Sequence, residues 1–479
     1  MESIAEQTRW MDATDQAALV RSGQVSATEL AEAAIERIDQ LNASIQAVNI
    51  RWDDEGRRRA AEPVAEDAPF GGVPFLLKDL WAHYAGQTLS NGNRALATAA
   101  LPSAENTVLV ERFNAAGLVT LGRTTSPEFG SVPTTEPLAW PATRNPWDLQ
   151  RTAGGSSGGA AAAVAAGMVP IAHASDGGGS IRIPASCCGL VGLKPSQGRI
   201  TLAPLRDETA LGVELCVSRS VRDTARLLDA VHGPGVGDTV IAAAPKRPYR
   251  DELSADPGRL RIGLLDFEPR GGEVHTDCVT AVRDAATLLE SLGHHVEPGF
   301  PAVLADAETG RSFGAMWSAN MGLSIRRIEQ QLGRALGDDD VEPMNRAQAA
   351  MAASFSSIDF AEALAAAARF RRAVQGWWSD GWDLLLTPTL AEPPLRLGQI
   401  ANDAANPYAP LLRSGAFVPF TPPFNMSGQP AISLPLYWSP KGLPIGVQLV
   451  AAYGREDLLI RVAAQLEVAR PWADRRPPV

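Results

Sequence analysis

The sequence has few cysteines, and it has none of the short motifs in which cysteine or histidine commonly bind a metal ion. Four cysteines in 479 residues are too sparse for a disulfide framework, and two of them, Cys187 and Cys188, are adjacent. No CxxC or HExxH motif occurs, and the six histidines show no metal-ligand spacing. We therefore expect reduced, buried thiols, no metal and no cofactor.

Long apolar runs and an excess of basic charge are missing as well. No apolar run approaches the roughly 18 residues of a membrane span, and the polar N-terminal segment MESIAEQTRWMDATDQ does not resemble a signal peptide. The net charge of −11 argues against a nucleic-acid partner, which would need a basic face. We expect a cytoplasmic protein that binds neither membranes nor nucleic acids.

Two clusters of glycine and serine are the most unusual feature of the chain, GGSSGG over residues 154–159 and DGGGS over residues 176–180. Successive glycines can direct several backbone N–H groups at one point and so bind an anion. The alanine-rich residues 160–166 predict a helix that begins just after Ser156. A flexible linker is disfavoured because apolar residues resume at once, and a phosphate-binding P-loop because no Gly-Lys-Ser/Thr follows.

Lys78 is a cation inside the apolar run VPFLLKDL. Lysine is rarely buried unless it is paired, so one interpretation is an ion pair with Asp79 or a side chain that extends to solvent. The other interpretation is a base, because burial disfavours the charged form of an amine. His83 and His173 lie near these segments and are alternative bases, which we interpret as structural residues.

Alternating strand and helix patterns predict an α/β protein with a single large mixed, mostly parallel sheet covered by helices on both faces. Ser26 and Glu29 form a capping box at the start of an amphipathic helix, and residues 305–380 read as mostly helical. No linker is long enough to divide the chain. We therefore expect one domain over residues 1–479, with the motifs in a core of residues 65–235.

A buried lysine, a serine at a helix start and a serine after a glycine cluster fit acyl transfer. A serine hydroxyl is a poor nucleophile until a base takes its proton, and a neutral amine can be that base. Backbone N–H groups can then stabilise the oxyanion. Two rival interpretations stay open: an α/β-hydrolase that uses Ser156 in the GxSxG of residues 154–158, and an anion-binding module without catalysis.

Three stretches in order, residues 154–159, residues 175–185 and Gly192–Pro195, resemble the amidase signature family, and FNMSGQPA at residues 424–431 resembles its C-terminal motif. The resemblance covers nearly the whole chain. It implies a Ser–cis-Ser–Lys triad, in which Ser180 is the nucleophile, Ser156 the bridging serine after a cis peptide and Lys78 the base. The separation of 24 positions between Ser156 and Ser180 matches the family pattern and favours Ser156 over Ser157.

The resemblance also implies supporting roles for residues around the triad. It assigns the oxyanion hole to the backbone of Gly177, Gly178 and Gly179 with the Ser180 N–H, loop support to Asp176 and Arg182, and substrate binding to Gly130 and Ser131. Residues 305–420 are expected to form a variable, mostly helical region that shapes substrate access.

Within the family, the stretches at 134–137, 142–147 and 451–458 resemble members that hydrolyse nylon oligomers. Where those members carry a substrate-contacting asparagine, this chain has Ser131, whose shorter side chain would open the pocket. We expect an amidase for small or oligomeric amides, aryl amides or carbamates, with a homodimer as the assembly to test. The amidase subunit of a tRNA-dependent amidotransferase is the rival within the family.

Overall fold

The computed structural model describes residues 3–204 and 211–479, and β-strands form its centre. Most strands are short and fully buried. The strands are β1 Val48–Arg51, β2 Pro74–Lys78, β3 Val119–Thr124, β4 Arg144–Asn145, β5 Asp148–Thr152, β6 Ile171–Asp176, β7 Gly192–Lys194, β8 Val213–Ser218, β9 Arg261–Leu264, β10 His295–Pro298, β11 Leu384–Pro388, β12 Ala431–Trp438 and β13 Pro444–Ala451.

The first sheet has the order β1-β3-β2-β6-β8. Its three inner strands, β3, β2 and β6, run parallel, and Phe75 of β2 pairs with Ile171 of β6. Because carboxyl ends of parallel strands meet at one edge of a sheet, Lys78 at the end of β2 lies beside Ser175 and Asp176 at the end of β6.

The second sheet has the order β10-β9-β11-β13-β12-β7. It joins the first through Val191, just before β7, and Ser218, the last residue of β8, which exchange two backbone hydrogen bonds of 2.9 and 3.2 Å. The two sheets therefore form one continuous layer. The remaining strands, β4 and β5, form a separate two-stranded ribbon.

The α/β class and the mixed sheet with helices on both faces are confirmed. The parallel pairs do not predominate, however. In the two large sheets of the described structure, four strand pairs are parallel, β9–β10, β9–β11, β2–β3 and β2–β6, whereas five are antiparallel, β1–β3, β6–β8, β11–β13, β12–β13 and β7–β12. The difference arises mainly from β12 and β13, which form a hairpin inserted between β7 and β11, and a hairpin is antiparallel by construction.

Sixteen α-helices are described, and they pack against both faces of the sheets. They are α1 Ile4–Thr8, α2 Ala13–Arg21, α3 Ala27–Ile45, α4 Asp53–Ala60, α5 Arg94–Ala99, α6 Val108–Ala115, α7 Gly158–Ala165, α8 Arg182–Cys188, α9 Val221–Val231, α10 Thr276–Ser291, α11 Glu308–Leu332, α12 Pro343–Ala353, α13 Ser357–Gly376, α14 Ala409–Phe417, α15 Pro422–Met426 and α16 Glu456–Ala469.

The local sequence accounts for where several helices begin. Ser26 accepts a hydrogen bond from the Glu29 N–H while Glu29 reaches back to the Ser26 backbone, so the predicted capping box is confirmed. The alanines of α7 are fully buried, because a helix with small side chains can lie close to β2, β3, β6 and β8 at once. Because α7 is packed tightly against these strands, the segment just before it, which includes Ser156, is held in position.

The helices α11, α12 and α13 occupy most of residues 308–376, as the composition of residues 305–380 predicts, and α11 packs against the other two. Both α11 and α13 contact α15, which contains the first residues of the motif FNMSGQPA. The four cysteines are buried and unpaired, which confirms the prediction for the thiols. No described helix is both long enough and apolar enough to cross a membrane.

Candidate active site

The Lys78 amine lies at the carboxyl end of β2 and contacts two serine hydroxyls. The side chain is fully buried, and Nζ lies 2.7 Å from Ser156 Oγ and 3.0 Å from Ser175 Oγ. The carboxylate of Asp79 accepts a hydrogen bond from the Asn49 amide at 2.7 Å, on the other side of the strand's end. Successive residues of a strand point to opposite faces, which separates the two charged groups.

Ser156 and Ser157 are adjacent in sequence but have different partners. The peptide bond between Gly155 and Ser156 is cis, and the Ser156 side chain meets the Lys78 amine. The Ser157 hydroxyl donates to the Ser175 carbonyl at 3.2 Å and accepts from the Ser175 N–H at 3.3 Å. Ser157 therefore holds the end of β6 through hydrogen bonds, whereas the hydroxyl of Ser156 contacts the Lys78 amine.

Ser180 lies where two cavities meet. It is 6% exposed, and it lines a cavity of about 310 Å³ together with Ser156 and Gly177. It also lines a second cavity of about 410 Å³, together with Gly178 and Ser131. The structure thus brings Lys78, Ser156 and Ser180 to one place, with space on either side for the two halves of a substrate.

Gly130 lines both cavities and has a conformation that only glycine adopts easily. Its φ is +70°, and a Cβ built there would lie 3.0 Å from Ser156 Oγ and 2.7 Å from Leu80 Cδ2. A side chain at this position would press on the Ser156 hydroxyl. Gly130 therefore keeps the wall of the site open beside Ser156.

The backbone of the glycine cluster supplies fewer free N–H groups than the sequence suggested. The Gly179 N–H donates to Asp176 Oδ1 at 2.7 Å, so it is not available to an oxyanion, and the prediction for Gly179 is wrong in this respect. Within the described part of the chain, the N–H groups of Gly177, Gly178 and Ser180 have no acceptor. These three groups are the candidates for an oxyanion hole.

Gly179 has a different function, which its conformation reveals. Its φ is +133°, and a Cβ built there would lie 2.3 Å from Thr421 Oγ1. Thr421 comes from the segment before α15 and donates to the Gly178 carbonyl at 2.7 Å. Thr421 can lie this close to the loop of residues 176–180 only because residue 179 has no side chain.

Asp176 and Arg182 form a fully buried, two-pronged ion pair behind the loop, with distances of 2.9 and 3.0 Å. Burial would raise the pKa of the Asp176 carboxyl, but the Arg182 guanidinium overcomes this and holds that pKa well below its usual range. Asp176 also accepts from the Ile181 N–H at 3.1 Å. The pair therefore clamps both ends of the loop that carries Ser180.

The ion pair is tied to the C-terminal half of the chain. Arg182 donates to Asn425 Oδ1 at 2.7 Å and to Gln448 Oε1 at 2.8 Å, and the Asn425 amide donates to the Asp176 carbonyl at 2.9 Å. All these polar groups are buried and satisfied, which makes the loop rigid. Asn425 lies in the recognised motif FNMSGQPA, whereas nothing in the sequence pointed to Gln448.

A second buried carboxyl, Glu128, anchors the corner that carries Gly130. Its oxygens accept from the Asn93 amide at 2.8 Å, the Asn345 amide at 2.6 Å and the Glu342 N–H at 2.9 Å. Burial and the neighbouring Glu342 carboxylate raise the pKa of Glu128 to about 8. Because Glu342 and Asn345 belong to the start of α12, this contact joins the helical region to the active-site wall.

Two aromatic residues of α11 cover the glycine loop, residues 176–180, and no sequence motif pointed to them. Phe313 and Trp317 stack with their ring centres 5.3 Å apart and line the second cavity. A Cβ built on Gly177 would lie 3.2 Å from the Trp317 ring, and one on Gly178 would lie 3.4 Å from the Phe313 ring. They lie in the region predicted only to shape substrate access.

The two histidines considered as bases have other surroundings. His173 is a buried residue of β6, the strand beside β2, and its Nδ1 accepts from the Lys78 N–H at 3.2 Å. Burial lowers the pKa of His173. His83 Nδ1 lies 3.1 Å from Ser103 Oγ, and burial lowers the pKa of His83 to about 4. Neither histidine lines the cavities that Ser180 lines.

The surroundings of Ser156 also bear on the α/β-hydrolase interpretation. That fold places its serine on a turn directly after a strand of the central sheet. Here the preceding strand is β5, Asp148–Thr152, which belongs to the separate two-stranded ribbon.

In the described residues, no cluster of histidine, cysteine, aspartate or glutamate side chains is arranged to hold a metal ion.

Comparison with known proteins places this geometry in a family. The model of the family described as Amidase matches residues 29–460. The 6-aminohexanoate-cyclic-dimer hydrolase of Paenarthrobacter ureafaciens is 43% identical over 480 residues, which cover 98% of this chain and 96% of the relative.

Solved structures agree with the sequence comparison. A 6-aminohexanoate cyclic dimer hydrolase complexed with substrate superposes with a TM-score of 0.94 at 42% identity, covering 98% of this chain and 99% of the other. A bacterial aryl acylamidase of the amidase signature family superposes with a TM-score of 0.87 at 28% identity, covering 97% of each chain. The chain belongs to the amidase family and is a hydrolase that acts on amides.

Proposed function

We propose that this enzyme hydrolyses amides through an acyl-enzyme on Ser180, with Lys78 as the base and Ser156 as the group that relays the proton. The observation that carries the proposal is the 2.7 Å contact between the buried Lys78 amine and the Ser156 hydroxyl, beside the cavity that Ser180 lines. A neutral amine can accept a proton, and burial favours the neutral form.

Acylation forms the first covalent bond. Ser180 Oγ attacks the amide carbonyl carbon while its proton passes to Ser156 Oγ, and the Ser156 proton passes to Lys78 Nζ. The carbonyl oxygen becomes an oxyanion, which the N–H groups of Gly177, Gly178 and Ser180 can stabilise.

Collapse of this intermediate breaks the carbon–nitrogen bond. The leaving amine takes the proton back from Lys78 through Ser156, and the acyl group stays on Ser180 as an ester. A water molecule then attacks the ester through the same relay, releasing a carboxylic acid and restoring Ser180. The relay thus acts once as a base and once as an acid in each half-reaction.

The substrates we propose are small or oligomeric amides, aryl amides and carbamates. The stacked Phe313 and Trp317 rings offer an aromatic wall beside Ser180, and Ser131 leaves space in the second cavity. The relatives' named substrates, a cyclic dimer of 6-aminohexanoate and an aryl acyl amide, belong to the same range. Cytoplasmic location and a homodimer stay predictions from the sequence.

Single-serine variants of the purified chain test the assignment. A fluorophosphonate probe should label wild type and Ser157→Ala, whereas Ser180→Ala should stay unlabelled in intact-mass measurements. Ser156→Ala should fold and lose at least about a hundredfold in kcat on an anilide. Labelling of Ser180→Ala together with loss of labelling in Ser156→Ala would instead support a nucleophilic Ser156. Hydrolysis by the chain alone separates this enzyme from an amidotransferase subunit that needs partners.

A further inference from the structure

One face of α11 forms the wall of the first cavity and becomes more polar with distance from Ser180. Trp317 lies against the glycine loop, and Asn320, Ser324 and Arg327 follow at the spacing of one helix face. All four residues line the cavity. On this helix face the cavity runs from the aromatic Trp317 beside the glycine loop to the exposed Arg327 at its mouth, and it is also lined by the apolar side chains of Leu323, Phe360 and Leu364.

Arg327 carries the charge at the mouth. Its side chain is exposed, and in the described part of the chain it makes no ion pair and no side-chain hydrogen bond. Among the described residues that line this cavity, the other charged one is Asp176, whose carboxylate is held by Arg182. A substrate in the cavity would therefore meet the positive charge of Arg327, which no carboxylate of the described residues neutralises.

The second cavity does not offer an equivalent group. Arg270 lines it, but the Arg270 Nε donates to Glu268 Oε1 at 2.8 Å, so that charge is already neutralised. The rest of the described lining is mainly apolar, with Phe313 and Trp317 and several prolines and leucines. The two cavities beside Ser180 thus differ in kind, one apolar and one with a cation at its far end.

The helix also sets the distance between Arg327 and the reacting end of the cavity. Arg327 follows Trp317 by ten positions, which at 1.5 Å per residue places it about 15 Å farther along the helix axis. The arginine side chain can reach part of the way back toward Ser180. A group paired with its guanidinium would therefore lie roughly 10 to 15 Å from the carbonyl that Ser180 attacks.

We propose that the first cavity binds the anionic end of an extended amide, with Arg327 as the residue that pairs with a terminal carboxylate. The inference rests on the proposed function of Ser180 and names the substrate class: linear amides with a carboxylate at the end of a flexible chain. A guanidinium suits this ligand because its planar N–H groups match the two oxygens of a carboxylate.

Matched substrate pairs test the proposal. The first pair is the mono-p-nitroanilide of sebacic acid and its neutral primary amide, which differ only in the charge of the acyl end. In the second pair, the charged member is N-butyryl-ω-aminoundecanoic acid and the neutral member carries a primary amide in place of its carboxyl group. This pair therefore differs in charge at the end of the amine half of the substrate. Using both pairs covers either orientation of the scissile bond in the cavity. The succinic mono-p-nitroanilide, whose carboxylate is too close to the carbonyl, controls for length.

Arg326 provides a matched control variant, because it is an exposed arginine on the same helix that does not line the cavity. Wild type and Arg326→Gln should prefer the carboxylate in at least one long pair by about three- to fivefold in kcat/KM, as expected for an exposed ion pair. Arg327→Gln should bring that ratio to about one, and Arg327→Glu should invert it.

Two results would overturn the proposal. One is equal hydrolysis of the charged and neutral members of both long pairs by wild type. The other is an equal loss of preference in Arg326→Gln and Arg327→Gln. That result would indicate that the electrostatic potential of the surface as a whole, rather than an ion pair with Arg327, attracts the carboxylate. Failure of wild type to hydrolyse any of these amides would instead reject the proposed function of Ser180, so the two failures are distinguishable.

Discussion

Replacing Lys78 with methionine should stop amide hydrolysis and leave the fold intact. Methionine is unbranched and of similar length, so it can fill the space beside Ser156 and Ser175 but cannot accept a proton. Lys78→Ala should also abolish turnover, but it leaves a cavity in a fully buried position. The methionine variant therefore separates lost chemistry from lost packing more cleanly.

The size of the effect follows from the contacts. Loss of a general base lowers the rate by about 10² to 10⁴, or about 2.7–5.5 kcal/mol in the activation free energy. The variant removes the bonding partner of two hydroxyls in a cavity wall, which costs about 1–3 kcal/mol in unfolding free energy. A domain with about 5–15 kcal/mol of stability survives that loss.

The assay compares kcat/KM on an anilide with thermal unfolding followed by circular dichroism. Lys194→Met is the control, because Lys194 is equally buried and its Nζ donates to the Pro195 carbonyl at 2.8 Å. We expect similar losses of stability in both variants, with kcat/KM reduced at least a hundredfold only in Lys78→Met. More than a tenth of wild-type kcat/KM in folded Lys78→Met would refute the assignment of the base.

Three further predictions follow from the same geometry. The acylation rate should rise from neutral to alkaline pH, because only the uncharged Lys78 amine accepts a proton, and a flat profile would contradict this. Gly130→Ala should lower kcat at least tenfold with little change in fold, since its Cβ would crowd Ser156 Oγ. An unchanged kcat would show that the cavity wall can shift to accommodate the added methyl group. Glu128→Gln should flatten the pH dependence of unfolding. The pKa of Glu128 in the fold, about 8, exceeds its ordinary value of 4.5. The free energy of unfolding of wild type should therefore fall by up to about 1.4 kcal/mol per pH unit as the pH rises between these two values. An equally steep fall in Glu128→Gln would contradict the raised pKa.

Local sequence predicted the elements that carry the site. The apolar run before Lys78 is the buried strand β2, the alanine run after Ser157 is α7, and Ser26 with Glu29 caps α3. Each of these signals depends on residues within a few positions of one another. The ratio of parallel to antiparallel pairs was not predictable in this way, because it depends on which distant strands become neighbours.

The parts of the site that were missed come from distant segments. Phe313, Trp317 and Thr421 contact the glycine loop, and Gln448 contacts Arg182. All four residues belong to the C-terminal half of the chain, far from the loop in sequence. The prediction for Gly179 failed because its N–H bonds to a carboxylate three residues earlier, and only the folded loop shows that contact.

The sequence alone determined which residues are chemically able to act, since a lysine in an apolar strand and serines among glycines are visible without coordinates. It also determined where helices and strands lie, because capping, periodicity and glycine act over short distances. Only the tertiary structure decided that Lys78 and Ser156, 78 residues apart, lie 2.7 Å from each other, and that Ser180 opens onto two unlike cavities. Such distances follow from how strands and helices pack, and packing sums many weak contacts that no single stretch of sequence encodes.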